Sequence, residues 1–193
     1  MTKNDPINQF ENWFEEAKKS EPSLPEAMSV ATVSADGQPS SRMVLLKSFD
    51  KEGFVFYTNM ESRKGLEIKN NPKASLLFHW KSLQRQVRVV GTLSEVSAEE
   101  ADTYFATRQR GAQIGAWASA QSRTMSGTFD LEKAVAKFTA KFGTKTIERP
   151  PFWTGIRVAP SEMEFWNERT FRLHLREYYT RDGESWRKEL LYP

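Results

Sequence analysis

Apolar side chains return along this chain with two different periods. In residues 6–19, Ile7, Phe10, Phe14 and Ala17 follow Pro6 at helical spacing, which predicts an amphipathic first helix that SEPSLPEA then breaks. From Met28 the rhythm shortens. MSVATVS, an Asp36-Gly37 turn, SSRMVLLKSF, a DKEG turn and FVFYTN read as a meander of short strands. ESRKGLEIKNNP reads as a short helix with Ser62, Arg63 and Lys64 in its first turn and Pro72 beyond its end. ASLLFHW and RQVRVVGTLSEV add two strands. Ser97 and Glu100 form a capping box that opens a helix reaching to about Arg108 or Arg110. Leu131, Val135, Phe138 and Phe142 predict another helix, ended by Gly143. Between them GAQIGAWASAQS follows neither period and reads as mixed turn and short helix. After the linker ERPP, the stretches FWTGIRVAPSEMEFWNE, TFRLHLREYYTR and ESWRKELLY read as strands, the last two joined at Asp182-Gly183.

Five strands, helical segments and three further strands do not alternate as βαβα, and neither a GxGxxG nor a Walker sequence is present, so a parallel dinucleotide-binding sheet is not expected. An antiparallel barrel with helices packed around it suits the pattern better, because closure removes the edges that many short strands would expose. The expected organisation is one domain. Residues 1–27 form an N-terminal helix and linker, 28–97 the first barrel strands, 98–148 a helical insertion and 149–193 the C-terminal strands.

Composition narrows the function classes. With 38% hydrophobic and 27% charged residues the chain suits a globular fold, not a disordered one. The absence of cysteine removes disulfides and thiol catalysis. No run of about 18 apolar residues exists, and MTKNDPINQF lacks the apolar core of a signal peptide, so a cytoplasmic protein with no membrane partner is expected. A net charge of +3 arises from cations interleaved with acidic residues, which gives no dense basic block for nucleic acid. His79 and His174 stand far apart with no HExxH spacing, so no metal site is expected.

Four stretches combine cations with hydrogen-bonding neighbours: Arg42 to Lys47, Ser62 to Lys64, Tyr104 to Arg108, and Arg172 to Arg176. At Ser62–Lys64 two cationic side chains coincide with the free N–H groups and positive dipole end of a predicted helix, which suits a phosphate. On a regular strand residues 42 and 47 point to opposite faces, so Arg42 and Lys47 can meet one ligand only across a bulge or a strand end. If FRLHLR is a strand, Arg172, His174 and Arg176 share one face and Phe171, Leu173 and Leu175 the other. A solvated outer face is the plain reading of that alternation, and an anion site the sharper one.

Taken in order, RMVLLK, FYTN, SRKG, RQV, YFATR, QIGAW, QS, EFW and RLH-x-R resemble the pyridoxine (pyridoxamine) 5′-phosphate oxidase family from about Pro6 to Pro193. The resemblance implies a mainly β fold with helices, a split antiparallel β-barrel, and a homodimer with FMN at the subunit interface. FMN contacts carry over to Arg42, Met43, Val44, Leu45, Leu46 and Lys47, to Tyr57 and Thr58, to Arg63 and Lys64, to Gln86, to Gln121 and Ser122, and to Trp166 and Arg176. Contacts to a small phosphorylated substrate carry over to Lys47, Tyr104, Arg108, Arg172 and His174, with Arg172 and His174 as the catalytic pair. The implied reaction oxidises pyridoxine or pyridoxamine 5′-phosphate to pyridoxal 5′-phosphate and reduces oxygen to hydrogen peroxide. This chain departs from the family pattern at Ala112, where a serine is usual, and at Leu175, where an acidic residue is usual. Two other readings stand beside it: a related split-barrel flavoenzyme acting on another ring, such as a phenazine precursor, and a flavin-binding module without turnover.

Overall fold

The computed structural model describes residues 5–193, so the leader reading, which rests partly on residues 1–4, lies partly outside the described residues. Helix α1 spans Pro6–Ser20. Asp5 caps it by accepting from the Ile7 N–H at 2.9 Å, and Ile7, Phe10, Phe14 and Ala17 are buried as their spacing predicts. Strands β1 (Ala27–Val33), β2 (Pro39–Leu45), β3 (Ser48–Asp50) and β4 (Gly53–Asn59) follow, then α2 (Arg63–Asn70), β5 (Lys73–Trp80) and β6 (Arg85–Glu95). Helices α3 (Ala98–Thr107), α4 (Arg110–Ala118) and α5 (Asp130–Phe142) precede β7 (Trp153–Asn167), β8 (Leu175–Asp182) and β9 (Ser185–Leu191).

The nine strands of the described residues all belong to one antiparallel sheet. Its order is β2-β1-β5-β6-β7-β4-β3, with β8 on β7 and β9 on β8. The sheet curls round on itself, and the Lys47 amide, just ahead of β3, extends the β3–β4 pairing by donating to the Val55 carbonyl at 2.8 Å. This is the expected antiparallel barrel. Helix α1 plugs it: the Phe10 ring lies 4.9–5.0 Å from those of Phe49, Phe54 and Phe78 in a buried aromatic cluster. A bulge between Val90 and Gly91 bends β6 against β7, and a Cβ on Gly91 would lie 2.2 Å from the Ala159 carbonyl oxygen.

Three local readings change. SSRMVLLKSF is not one strand but two, β2 and β3, interrupted at Leu46-Lys47; Leu46 sits in the core with its N–H bonded to the Glu26 carbonyl at 2.9 Å. The aperiodic GAQIGAWASAQS contains a full helix, α4, whose buried residues are Gln113 and Ile114. FRLHLR is not a strand at its start: Thr170–Arg172 form a 3-10 turn, with Phe171 and Arg172 at φ of 58° and 62°. Phe171 is 91% exposed, so the apolar side of the alternation has no core to enter.

Candidate active site

A cleft of about 860 Å³ opens between the barrel and the helical insertion, a size ordinary for a small-molecule site. Ser40 to Leu45 of β2 and Lys47 form one wall; Tyr57, Thr58 and Asn59 of β4 form the floor beside Arg63 and Lys64 of α2. Tyr104, Arg108, Ala112 and the loop residues Gln121 and Ser122 close the other side, with Trp153 behind. The break at Leu46-Lys47 therefore supplies the strand end that lets Arg42 and Lys47 line one cavity.

The cationic corner is built around α2. Ser62 caps the helix, accepting from the Gly65 N–H at 3.3 Å, which leaves the amides of Arg63 and Lys64 as the ones with no intrahelical acceptor. Lys64 is buried and donates to Gln121 Oε1 at 2.8 Å and Ser62 Oγ at 3.3 Å. Burial, helped by the nearby Arg42 charge, pulls its pKa down to about 8. Beneath lies Glu67. Its carboxylate accepts from Ser40 Oγ at 2.6 Å, Arg63 Nε at 2.9 Å, Arg42 Nη2 at 3.2 Å and the Thr32 hydroxyl. Burial opposes the charge, but the bonds from Ser40, Thr32, Arg63 and Arg42 prevail and hold its pKa at about 2.

The opposite wall is aromatic. Tyr57 stacks on Tyr104 with centroids 4.0 Å apart and on Trp153 at 5.0 Å, and the Arg108 guanidinium lies 4.8 Å from the Trp153 ring centroid. Burial, with smaller effects from Glu100 and Tyr104, pushes the Tyr57 phenol up to about 12, so it remains a neutral donor. Two buried polar atoms on the cleft residues lack a hydrogen-bond partner: Arg108 Nη1 and Thr58 Oγ1. Such orphans are rare; both atoms are buried behind the cleft surface, and Arg108 rests there against the Phe105 and Trp153 rings. The cationic residues and the free amides of the α2 start suit a phosphorylated ligand.

The other expected residues lie elsewhere on the chain. Gln86 pairs with Trp166 across β6 and β7, and Trp166 with Arg176 across β7 and β8. The His174 ring packs 4.6 Å from that of Trp166, and its Nδ1 accepts from the Arg169 N–H at 3.3 Å. Arg176 donates to buried Glu164 at 2.7 Å and to the Tyr192 carbonyl at 2.9 Å. Arg172 is exposed on the 3-10 turn. Gln86, Trp166, Arg172, His174 and Arg176 therefore form a second cluster outside the cleft's lining, and Leu46 is turned into the core. Glu67 and Trp153 were not anticipated. The Arg63/Glu67 spacing was a readable helical pair, but the reach of Glu67 to β1 and β2 was not. Among the described residues no group of three His, Cys, Asp or Glu could hold a metal, and no helix is long and apolar enough to cross a membrane.

Residues 14–167 match the family described as pyridoxamine 5′-phosphate oxidase, and residues 153–193 match the pyridoxine 5′-phosphate oxidase C-terminal dimerisation region. A protein of Brucella canis named pyridoxine/pyridoxamine 5′-phosphate oxidase is 55% identical over 192 residues, covering 98% of this chain and 94% of its own. PhzG from Burkholderia lata, solved in complex with tetrahydrophenazine-1-carboxylic acid, has a TM-score of 0.92 at 32% identity, over 98% of this chain and 93% of that one. A pyridoxamine 5′-phosphate oxidase-related, FMN binding protein of Nostoc punctiforme shares the fold, with a TM-score of 0.78 at 16% identity and full coverage of both chains. On the match of nearly its whole length, the chain belongs to the pyridoxine/pyridoxamine 5′-phosphate oxidase family.

Proposed function

We propose that this protein is an FMN-dependent oxidase that converts pyridoxine or pyridoxamine 5′-phosphate to pyridoxal 5′-phosphate, with oxygen as acceptor and hydrogen peroxide as product. The observation that carries the reading is a cleft that gathers five cationic residues, Arg42, Lys47, Arg63, Lys64 and Arg108, from four parts of the chain. The name borne by relatives 55% identical over nearly the full length supports it. A cytoplasmic location fits such a biosynthetic enzyme.

Arg42, Arg63, Lys64, Thr58, Gln121 and Ser122 would hold the flavin phosphate and its neighbourhood, with Met43 to Leu45 and Tyr57 alongside. FMN, when bound, supplies the hydride acceptor and the means of reducing oxygen. Lys47 and Arg108 offer their charges to the substrate phosphate, and Arg108 already packs over the Trp153 ring, so that little rotamer freedom is lost on binding. The Tyr57, Tyr104 and Trp153 stack keeps water from that side of the cleft. His174 accepts a backbone N–H at Nδ1, so its neutral form holds the proton at Nε2 and presents a donor there. The assembly we propose is a homodimer with FMN at the subunit interface, in which Gln86, Trp166, Arg172, His174 and Arg176 of one chain complete the cleft of the other. Their separation from the cleft within one chain and the match of residues 153–193 to a dimerisation region support this.

The test is to reconstitute the protein with FMN and follow peroxide and pyridoxal phosphate formation from each phosphate. Turnover is expected with both, and a yellow protein that makes no peroxide from either would reject the reading. A second reading has one observation in its favour: Ala112 lines the cleft without a hydroxyl for a substrate phosphate, and PhzG superposes closely. Faster turnover of a partly reduced phenazine carboxylate than of pyridoxine phosphate would select it.

A further inference from the structure

The placement of Glu67 is at odds with an anion site, because a buried carboxylate lies directly beneath the residues that would hold a phosphate. Its side chain is only 5% exposed, and it joins three elements. From α2 it reaches across to β1 and β2, where one oxygen takes Ser40, Thr32 and Arg42 while the other takes Arg63. Arg42 and Arg63 come from different elements, and both line the cleft. No other carboxylate pairs with either among the described residues. Arg42 is also held by the Val30 carbonyl and the Thr32 and Ser40 hydroxyls, and Lys64 by Ser62 and Gln121, but Glu67 alone ties Arg63 to Arg42; without it three positive charges would crowd one corner with no carboxylate among them. With it, three cations stand against one anion, which leaves a net charge of two, the complement of a phosphomonoester dianion.

We propose that Glu67 is a positioning residue that fixes Arg42 and Arg63 for the phosphate of the flavin and sets the charge of that corner. The inference rests on the FMN reading above. Two effects oppose each other when Glu67 is removed. The site gains net positive charge, which favours a phosphate, and its two arginines lose their common anchor, which disfavours it. Arg63 loses its one hydrogen-bond partner among the described residues and Arg42 its tie to α2, and the rotamer entropy so released, comparable with a charged hydrogen bond, outweighs one partly screened charge.

The experiment titrates riboflavin and FMN into wild type, Glu67→Ala and Glu67→Gln and reads the ratio of the two affinities. Riboflavin shares the ring but lacks the phosphate, so a general loosening of the fold moves both ligands together and leaves the ratio unchanged. Glu67→Ala is expected to lower the preference for FMN about tenfold. Glu67→Gln, whose single carbonyl oxygen can anchor one arginine but not both, is expected to lower it by about threefold and decides the matter if the alanine variant does not fold. An unchanged or raised preference in the folded variants overturns the proposal. A wild-type protein that shows no preference for FMN over riboflavin overturns the FMN reading itself, and this inference with it.

Discussion

Arg108 is the residue whose surroundings speak most directly of a missing partner. It is half-buried, burial pushes its pKa below the ordinary guanidinium value, and Nη1 meets no acceptor. A charged donor kept dry at that cost is explained if an anion completes it. Arg108→Ala should therefore leave the flavin spectrum intact while lowering kcat/KM for pyridoxine phosphate by about 1.5–3 kcal/mol in transition-state terms, at least an order of magnitude. Steady-state kinetics at saturating FMN check it, and unchanged kcat/KM would remove Arg108 from the site. Lys64 makes a prediction of opposite character, about pH. Its folded pKa of about 8 lies below the ordinary 10.5, so between those values the unfolded chain holds a proton that the ligand-free fold has released. Stability of the ligand-free protein should thus rise with pH across that window. Anion binding needs the ammonium, so FMN affinity should fall as pH rises through about 8. In Lys64→Met that fall should vanish, as fluorescence titration from pH 7 to 10 would show.

At the scale of elements, two features position the side chains. Helix α2 is only eight residues long, and it is held by its Ser62 cap and by Glu67 more than by its own length. The β6–β7 pair carries the second cluster, and its register depends on the bulge at Val90/Gly91. A side chain on Gly91 would meet the Ala159 backbone at 2.2 Å, and backbone cannot turn aside as a flexible side chain can. Gly91→Ala should cost about 1–3 kcal/mol in urea unfolding, whereas an unstrained strand glycine would gain stability on the same change. The 3-10 turn at Thr170–Arg172 shows how an element can be misread locally. Alternation in FRLHLR matches a strand, but a strand forms where its apolar face finds a neighbour, and Phe171 and Leu173 stand exposed. The turn instead reverses β7 into β8 and leaves Arg172 exposed, with His174 packed on Trp166.

For the whole molecule, the separation of the cleft from the Arg172–Arg176 cluster is the decisive fact. If two chains build each site, as proposed, a fault in the cleft of one and a fault in the hairpin of the other can be combined away. Co-expressing Arg108→Ala with Arg172→Ala should give mixed dimers in which one site carries both faults and the other carries none. With random pairing about a quarter of wild-type sites are restored, so activity should rise to roughly a quarter of wild type while each parent alone stays far below. Activity no higher than the mean of the parents would show that both residues serve one site from one chain.

Local pattern alone determined the class of fold. The period of α1, the turn residues at Asp36-Gly37 and Asp182-Gly183, and the caps at Ser62 and Ser97 all act within a few residues, so they are legible without tertiary structure. The same locality made the helix start at Ser62, with Arg63 and Lys64 in its first turn, readable. Tertiary structure decided the rest. Only the change of neighbour, from β1 along β2 to β4 along β3, breaks SSRMVLLKSF at Leu46-Lys47 and brings Lys47 to the cleft, and only the packing of α2 on β1 and β2 lets Glu67 gather Arg42 with Arg63. Those contacts join residues more than twenty positions apart in sequence or turn on where a strand ends, and no periodicity carries that information. The division of the expected site residues into two clusters has the same origin, since register across β6, β7 and β8 sets which of them can meet.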